Sequence, residues 1–230
     1  MKPPVNLPNR FPSSIALVIL AGGASRRYNG KQKALIDVGG QTIIDLQLND
    51  LGSMFEHVYI SIKNEEQKRV LREAGVEISW NVDFVQDLPE FPGNARDNAA
   101  IFGMYSAFSA IESRHALVIS CDMPFVRQPV AQVLASYVEE DPDAIVPSWE
   151  NGYLEPTLAI YKVENSRIAM KSLLEEGTYQ LLEIFKRMDS VIYVPIDAIK
   201  AVDPDLDCLI NINDEMDLKK IKELTRFKQV

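Results

Sequence analysis

Apolar positions along the chain alternate between short continuous runs and helix-spaced sets. Ile15–Leu20 is an unbroken aliphatic run, which predicts a strand buried on both faces, ending in Ala21-Gly22-Gly23. Gln41–Leu51 then spaces Ile43, Ile44, Leu46, Leu48 and Leu51 as a helix would. The same reading predicts strands at His57–Ile62, Val76–Ser79, Ala116–Ser120, Ala144–Pro147, Thr157–Tyr161 and Val191–Val194. It predicts helices at Glu65–Ala74, Asn98–Ile111, Gln128–Glu139, Glu164–Glu175, Tyr179–Met188 and Asp214–Leu224. Trp80–Asp97, rich in proline and acids, reads as a long surface loop.

This βαβ alternation predicts an α/β fold, a single Rossmann-like three-layer α/β/α domain with a mostly parallel central sheet. A chain of 230 residues is long for one domain but suits such a unit. Residues 15–230 are expected to form it. Residues 1–14, MKPPVNLPNRFPSS, hold four prolines and no apolar stretch, so a flexible N-terminal tail is expected rather than a secretory signal. No apolar run approaches the roughly 20 residues of a membrane span, so no membrane partner is expected.

Charge changes the picture most. The net charge is −9, which argues against a nucleic-acid partner. Yet Lys2, Arg10, Arg26, Arg27, Lys31 and Lys33 all precede the first acid, Asp37. A small basic site on an acidic body attracts a small polyanion. Cys121 and Cys208 lack CxxC spacing, so neither a zinc site nor a disulfide framework is expected, and the cytoplasm is the expected location. His57 and His115 lack partners at ligand spacing, and no GxSxG elbow occurs.

The candidate chemistry begins after the first strand. Leu20, Ala21, Gly22 and Gly23 would let exposed N–H groups cradle phosphate oxygens. Four cations, Arg26, Arg27, Lys31 and Lys33, follow within a short stretch. The spacing fits neither GxGxxG nor a Walker A loop, because the first glycines are adjacent and Lys31 is followed by Gln32. Asp122 follows the Ala116–Ser120 strand, where it suits either a Mg²⁺ ligand or a helix cap before Pro124. Asp83, in the acidic stretch after the third strand, is a candidate nucleotide contact. Asn213 precedes Asp214 and suits a helix start.

Leu20-Ala21-Gly22-Gly23, followed by Ser25-Arg26-Arg27, Gly30 and Lys33, resembles the signature of the nucleotidyltransferases. Within that superfamily the layout is most similar to the molybdenum cofactor guanylyltransferases. The resemblance implies transfer of GMP from GTP to the terminal phosphate of molybdopterin, with release of pyrophosphate and Mg²⁺ as cofactor. It implies nucleotide binding by Leu20–Gly23 and catalysis by Lys33, Arg27 and the metal ligand Asp122. Glu155-Pro156-Thr157 resembles a motif on the acceptor side, and Asn211-Ile212-Asn213 the family's closing motif. Pro156, Thr157 and Asn213 are therefore expected at the acceptor. Glu155 stands where the family more often has histidine. The finished cofactor would pass to molybdoenzymes or their chaperones. Kept beside this reading are a CTP-dependent molybdopterin cytidylyltransferase, a sugar-phosphate nucleotidyltransferase and a non-catalytic nucleotide sensor. Retention of both Lys33 and Asp122 favours catalysis over the sensor.

Overall fold

A computed structural model of the chain describes residues 11–22, 32–76, 82–88, 99–214 and 216–219. Nine strands are described: β1 (Ile15–Leu20), β2 (Asp37–Val38), β3 (Gln41–Thr42), β4 (Val58–Ile62), β5 (Asp83–Gln86), β6 (His115–Ser120), β7 (Ala144–Ser148), β8 (Leu158–Lys162) and β9 (Val191–Pro195). Seven form one sheet in the order β5-β4-β1-β6-β8-β7-β9. Only β8 runs antiparallel to its neighbours, β6 and β7. The mostly parallel sheet is therefore the one expected.

Helices cover both faces, as continuous apolar strands require. Ile15, Leu17 and Ile19 of β1 join one core with Ile44 and Leu48 of α1 (Ile43–Leu51), Leu71 of α2 (Glu65–Glu73) and the later helices α4 (Gln128–Ala135) and α6 (Ile196–Lys200). Ala16, Val18 and Leu20 join the other, beneath α3 (Ala100–Ala110) and α5 (Val163–Glu175). Thr42 accepts from Asp45 N–H to start α1, and Asn64 accepts from Gln67 N–H to start α2. No helix among the described residues is long and apolar enough to cross a membrane.

The differences from expectation have physical reasons. The acidic stretch contains a strand: β5 pairs in parallel with β4, from Tyr59↔Asp83 to Ile62↔Gln86. It is four residues long on the sheet edge, too short and too polar for its pattern to stand out. The helix expected at Gln128–Glu139 ends at Ala135, and Asp141 turns the chain with a left-handed φ of 52°. Tyr179–Met188 becomes a 3-10 helix at Leu181–Arg187. The packed structure reaches back to Phe11, which is buried against Phe55 and donates its N–H to Met54 O at 2.8 Å. The strand expected at 76–79 and the last helix fall mostly outside the described residues, as do residues 1–10.

Far from the carboxyl ends of the parallel strands, Asp141 ties β6 to β8. It accepts from Arg114 and from Lys162, with His115 Nε2 3.4 Å away. Hydrogen bonds from Arg114 and Lys162 hold its carboxyl below the ordinary value of 3.8. A carboxyl depressed by folding contributes stability above its unfolded pKa and loses it as pH falls through the folded one. Asp141→Asn should therefore lower the melting temperature at pH 7, and the gap from wild type should close as pH drops below about 4. A gap that is constant across that range would remove the ion pairs from the account.

Gly103 lies inside α3, where a Cβ would sit 2.6 Å from Ser61 Oγ. An interior glycine ordinarily costs a helix about 1 kcal/mol relative to alanine. Gly103→Ala should nonetheless destabilise, because Ser61 is fully buried and its hydroxyl must be displaced. In a Ser61→Ala background the same change should become stabilising. Urea unfolding of the four proteins reads the sign reversal directly.

Candidate active site

The site forms where four parallel strands, β1, β4, β5 and β6, end together. Ala21 N–H donates to Ser61 O at 2.9 Å, and Cys121 N–H donates to Leu20 O at 3.0 Å. Asp87 N–H donates to Ile62 O at 2.9 Å just past β5. These bonds extend the ladder one residue beyond the strands, so Gly22, Lys63, Asp87 and Asp122 emerge on one edge. A carbon placed on Gly22 would meet Lys63 N at 3.4 Å and Asp87 Oδ2 at 3.7 Å, which are ordinary contacts. The surrounding protein therefore does not itself require glycine there, and the missing side chain leaves the backbone open to close approach.

Lys33 and Asn213 reach this edge from opposite ends of the sequence. A small apolar cluster of Ile36, Val38, Ile43 and Ile212 packs the β2–β3 hairpin against the segment before Asn213. Gly39 and Gly40 turn that hairpin with φ of 70° and 95°, which side-chain-bearing residues rarely adopt. Ile212 N–H donates to Asp122 O at 2.9 Å. As a result Lys33 Nζ lies 3.4 Å from Asp122 Oδ2 and 3.5 Å from Asn213 Oδ1. Lys33 and Asp122 side chains are 19% and 20% exposed, so both stay open to a ligand.

Two buried glutamines hold this edge together, and sequence reasoning missed both. Gln47 on α1 donates to Ser120 O at 2.8 Å and to Met123 O at 2.9 Å, spanning the turn that carries Asp122. Gln67 on α2 donates to Ala21 O at 2.6 Å and to Gln32 Oε1 at 3.0 Å, while accepting from Lys63 N–H at 2.7 Å. It therefore joins the residue after β1 to the one before Lys33. Their signal in the sequence is faint: a polar residue on the apolar face of each amphipathic helix.

On the other side of Asp122, Ser120 N–H donates to Thr157 O at 3.2 Å, and Thr157 Oγ1 lies 4.0 Å from Met123 Sδ. Pro156 O accepts from Tyr161 OH at 2.7 Å. Pro156 and Thr157 thus adjoin the Asp122 turn. Leu20, Ala21, Gly22, Lys33, Asp122 and Asn213 also fall on this edge. Gly23 and Arg27 lie outside the described residues.

Asp83 is not brought to the site. It begins β5 opposite Tyr59, at the amino end of parallel strands, and lines a cleft of about 740 Å³ with His57, Glu112 and Arg114. Parallel strands send all their carboxyl ends the same way, so the acid at the far end of β5, Asp87, holds the position expected of Asp83. Cys121 is buried, and that burial, with Asp122 adjacent, pushes its thiol up to about 12. It packs as a small buried thiol in the core behind the Asp122 turn. Burial likewise pushes His115 below its ordinary value.

The family profile described as MobA-like NTP transferase domain matches residues 17–191. A probable molybdenum cofactor guanylyltransferase of Pyrococcus horikoshii is 30% identical, over 78% of this chain and 85% of its own. A molybdenum cofactor guanylyltransferase of Desulfosudis oleivorans is 27% identical, over 88% of this chain and 92% of its own. Among solved structures, molybdopterin-guanine dinucleotide biosynthesis protein A of Archaeoglobus fulgidus shares the fold with a TM-score of 0.73 at 24% identity, covering 92% and 99% of the two chains.

Gln67→Leu should leave Ala21 O and Lys63 N–H without their buried partners, at a cost of about 2 kcal/mol. An unchanged urea midpoint would reject the clamp.

Proposed function

The chain belongs to the MobA-like NTP transferase family, and from that premise we propose that it transfers GMP from GTP to the terminal phosphate of molybdopterin. The observation that carries this reading is the convergence of Lys33, Asp122 and Asn213 from segments 89 and 180 residues apart, at the carboxyl edge of a parallel sheet. Such edges are where open α/β sheets bind ligands. The names of the relatives supply the base and the acceptor.

In the reaction, a terminal phosphate oxygen of molybdopterin attacks the α-phosphorus of GTP. The new P–O bond forms as the bond from the α-phosphorus to the bridging oxygen breaks, and pyrophosphate leaves with that oxygen's electron pair. The acceptor phosphate is already mostly ionised near neutral pH, with a second pKa of about 6, so no strong base is required. The catalytic work is positioning and charge neutralisation. The backbone from Leu20 to Gly22 holds the nucleotide, together with Gly23 of the same sequence motif. The Lys33 ammonium moves from Asp122 and Asn213 to the phosphates and offsets charge developing on pyrophosphate, aided by Arg27. Pro156 and Thr157 hold the acceptor, and Asn213 lies between the two substrates.

Asp122 suits Mg²⁺: a partly exposed carboxylate with an amide oxygen, Asn213 Oδ1, beside the same lysine. Mg²⁺ held by one carboxylate would take its remaining ligands from the phosphates and water. When bound, Mg²⁺ supplies charge neutralisation on the triphosphate. The reaction belongs in the cytoplasm, where Cys121 and Cys208 stay reduced. The product then passes to molybdoenzymes or their chaperones.

Pyrophosphate release should require GTP, Mg²⁺ and molybdopterin together. Release only with CTP, or only with a sugar phosphate, overturns the guanylyl assignment, and none with any pairing favours a nucleotide sensor. Lys33→Ala should lower turnover by about 100-fold or more without lowering the melting temperature. Asp122→Asn should lose the response to added Mg²⁺. Near-normal turnover in Lys33→Ala would reject the role given to the lysine.

A further inference from the structure

Between β7 and β8 the chain folds back as a short hairpin. Ser148 bridges Leu154, Trp149 N–H donates to Tyr153 O at 2.9 Å, and Glu155 N–H donates to Pro147 O at 3.1 Å. The hairpin stands at the same end of the sheet as Asp122, since Leu158 is paired with Ile119 and Thr157 O bonds Ser120 N–H. Its tip presents Tyr153, 58% exposed, while Trp149 packs partly against the core.

Glu155 is the unusual group here. Its Oε1 accepts from Trp149 Nε1 at 2.8 Å, and among the described residues neither a cation nor a donor to Oε2 is present. Burial pushes its carboxyl above the ordinary range, against the pull of the indole N–H. A neutral acceptor would serve the indole equally well without the desolvation cost of a charge. A half-buried carboxylate on the hairpin that adjoins the Asp122 turn, with no partner at Oε2 among the described residues, is suited to a ligand that brings N–H donors.

We propose that Glu155 is a specificity-determining residue that accepts hydrogen bonds from ring N–H donors of the acceptor through Oε2, while Trp149 fixes the carboxylate's orientation. Resting on the molybdopterin reading, the group recognised is the amino-pyrimidinone edge of a pterin. Charge-assisted hydrogen bonds of this kind discriminate strongly against analogues that lack the donor.

The test uses binding rather than turnover, so it stands apart from whether GTP is the donor. Pterin-6-carboxylate and lumazine-6-carboxylate, which differ by an amino or an oxo group at ring position 2, are titrated by equilibrium dialysis. Wild type should prefer the pterin by about tenfold or more. In Glu155→Gln and Glu155→Ala that preference should collapse toward one, with GTP affinity and melting temperature unchanged. Trp149→Phe should keep most of the preference, because the carboxylate remains. Overturning results are no measurable binding of either compound to wild type, no preference in wild type, or an undiminished preference in Glu155→Ala. If pterin preference is present but pyrophosphate is released only with CTP, the guanylyl reading fails while the role of Glu155 stands.

Discussion

The position of β1 at the centre of the sheet, paired with β4 on one side and β6 on the other, is the constraint on which the site depends. Register is fixed because both faces of β1 are buried in separate cores, and a slip of one residue would exchange every side chain between them. Leu20 is thereby held level with Ser61 and Ser120. The next residues, Ala21 and Cys121, then leave the sheet level with Ile62, the last residue of β4. The polar residues that follow them converge without any segment having to reach for the others.

Backbone pairing brings the strand ends level but does not fix the loops beyond them. Gln47 and Gln67 supply that second layer of order, each using one side-chain amide to bridge two points of a turn. Both are almost fully buried, so each bond replaces water that the backbone groups cannot otherwise reach. The amides are neutral, so they order the loops without adding a charge that would compete with Lys33 for a polyanion. A lysine or arginine in either place would need a buried counter-ion of its own.

Long, uniform features were legible in the sequence. Ile15–Leu20 has only one sensible reading, and Asp122 after a buried strand marks the carboxyl edge of the sheet. Less was legible where the pattern is short or the partner distant. β5 hid within an acidic stretch because four mixed residues carry no period. Asp83 and Asp87 look alike in the acidic stretch, yet the four residues of β5 place them at opposite ends of the sheet. Phe11 was read as tail because one aromatic among prolines has no periodicity, although Phe55 gives it a partner. The nearness of Lys33 to Asn213 depends on the packing of Ile36 with Ile212, which no local pattern encodes.

The Lys33 contacts also say something about how the site handles charge. At 3.4 and 3.5 Å, with both Lys33 and Asp122 about one-fifth exposed, the lysine is guided by its partners but not locked to them. Breaking a tight, desolvated ion pair by removing one partner costs about 3–5 kcal/mol, and a triphosphate would have to offset that before gaining anything. A loose, hydrated pair is worth about 1 kcal/mol or less. On the proposed reading, the multiple charges of a triphosphate would displace it and leave Asp122 for a divalent cation. The looseness of this contact follows from placing both side chains at the rim of the sheet rather than within its core, and it is what the proposed exchange of partners would require.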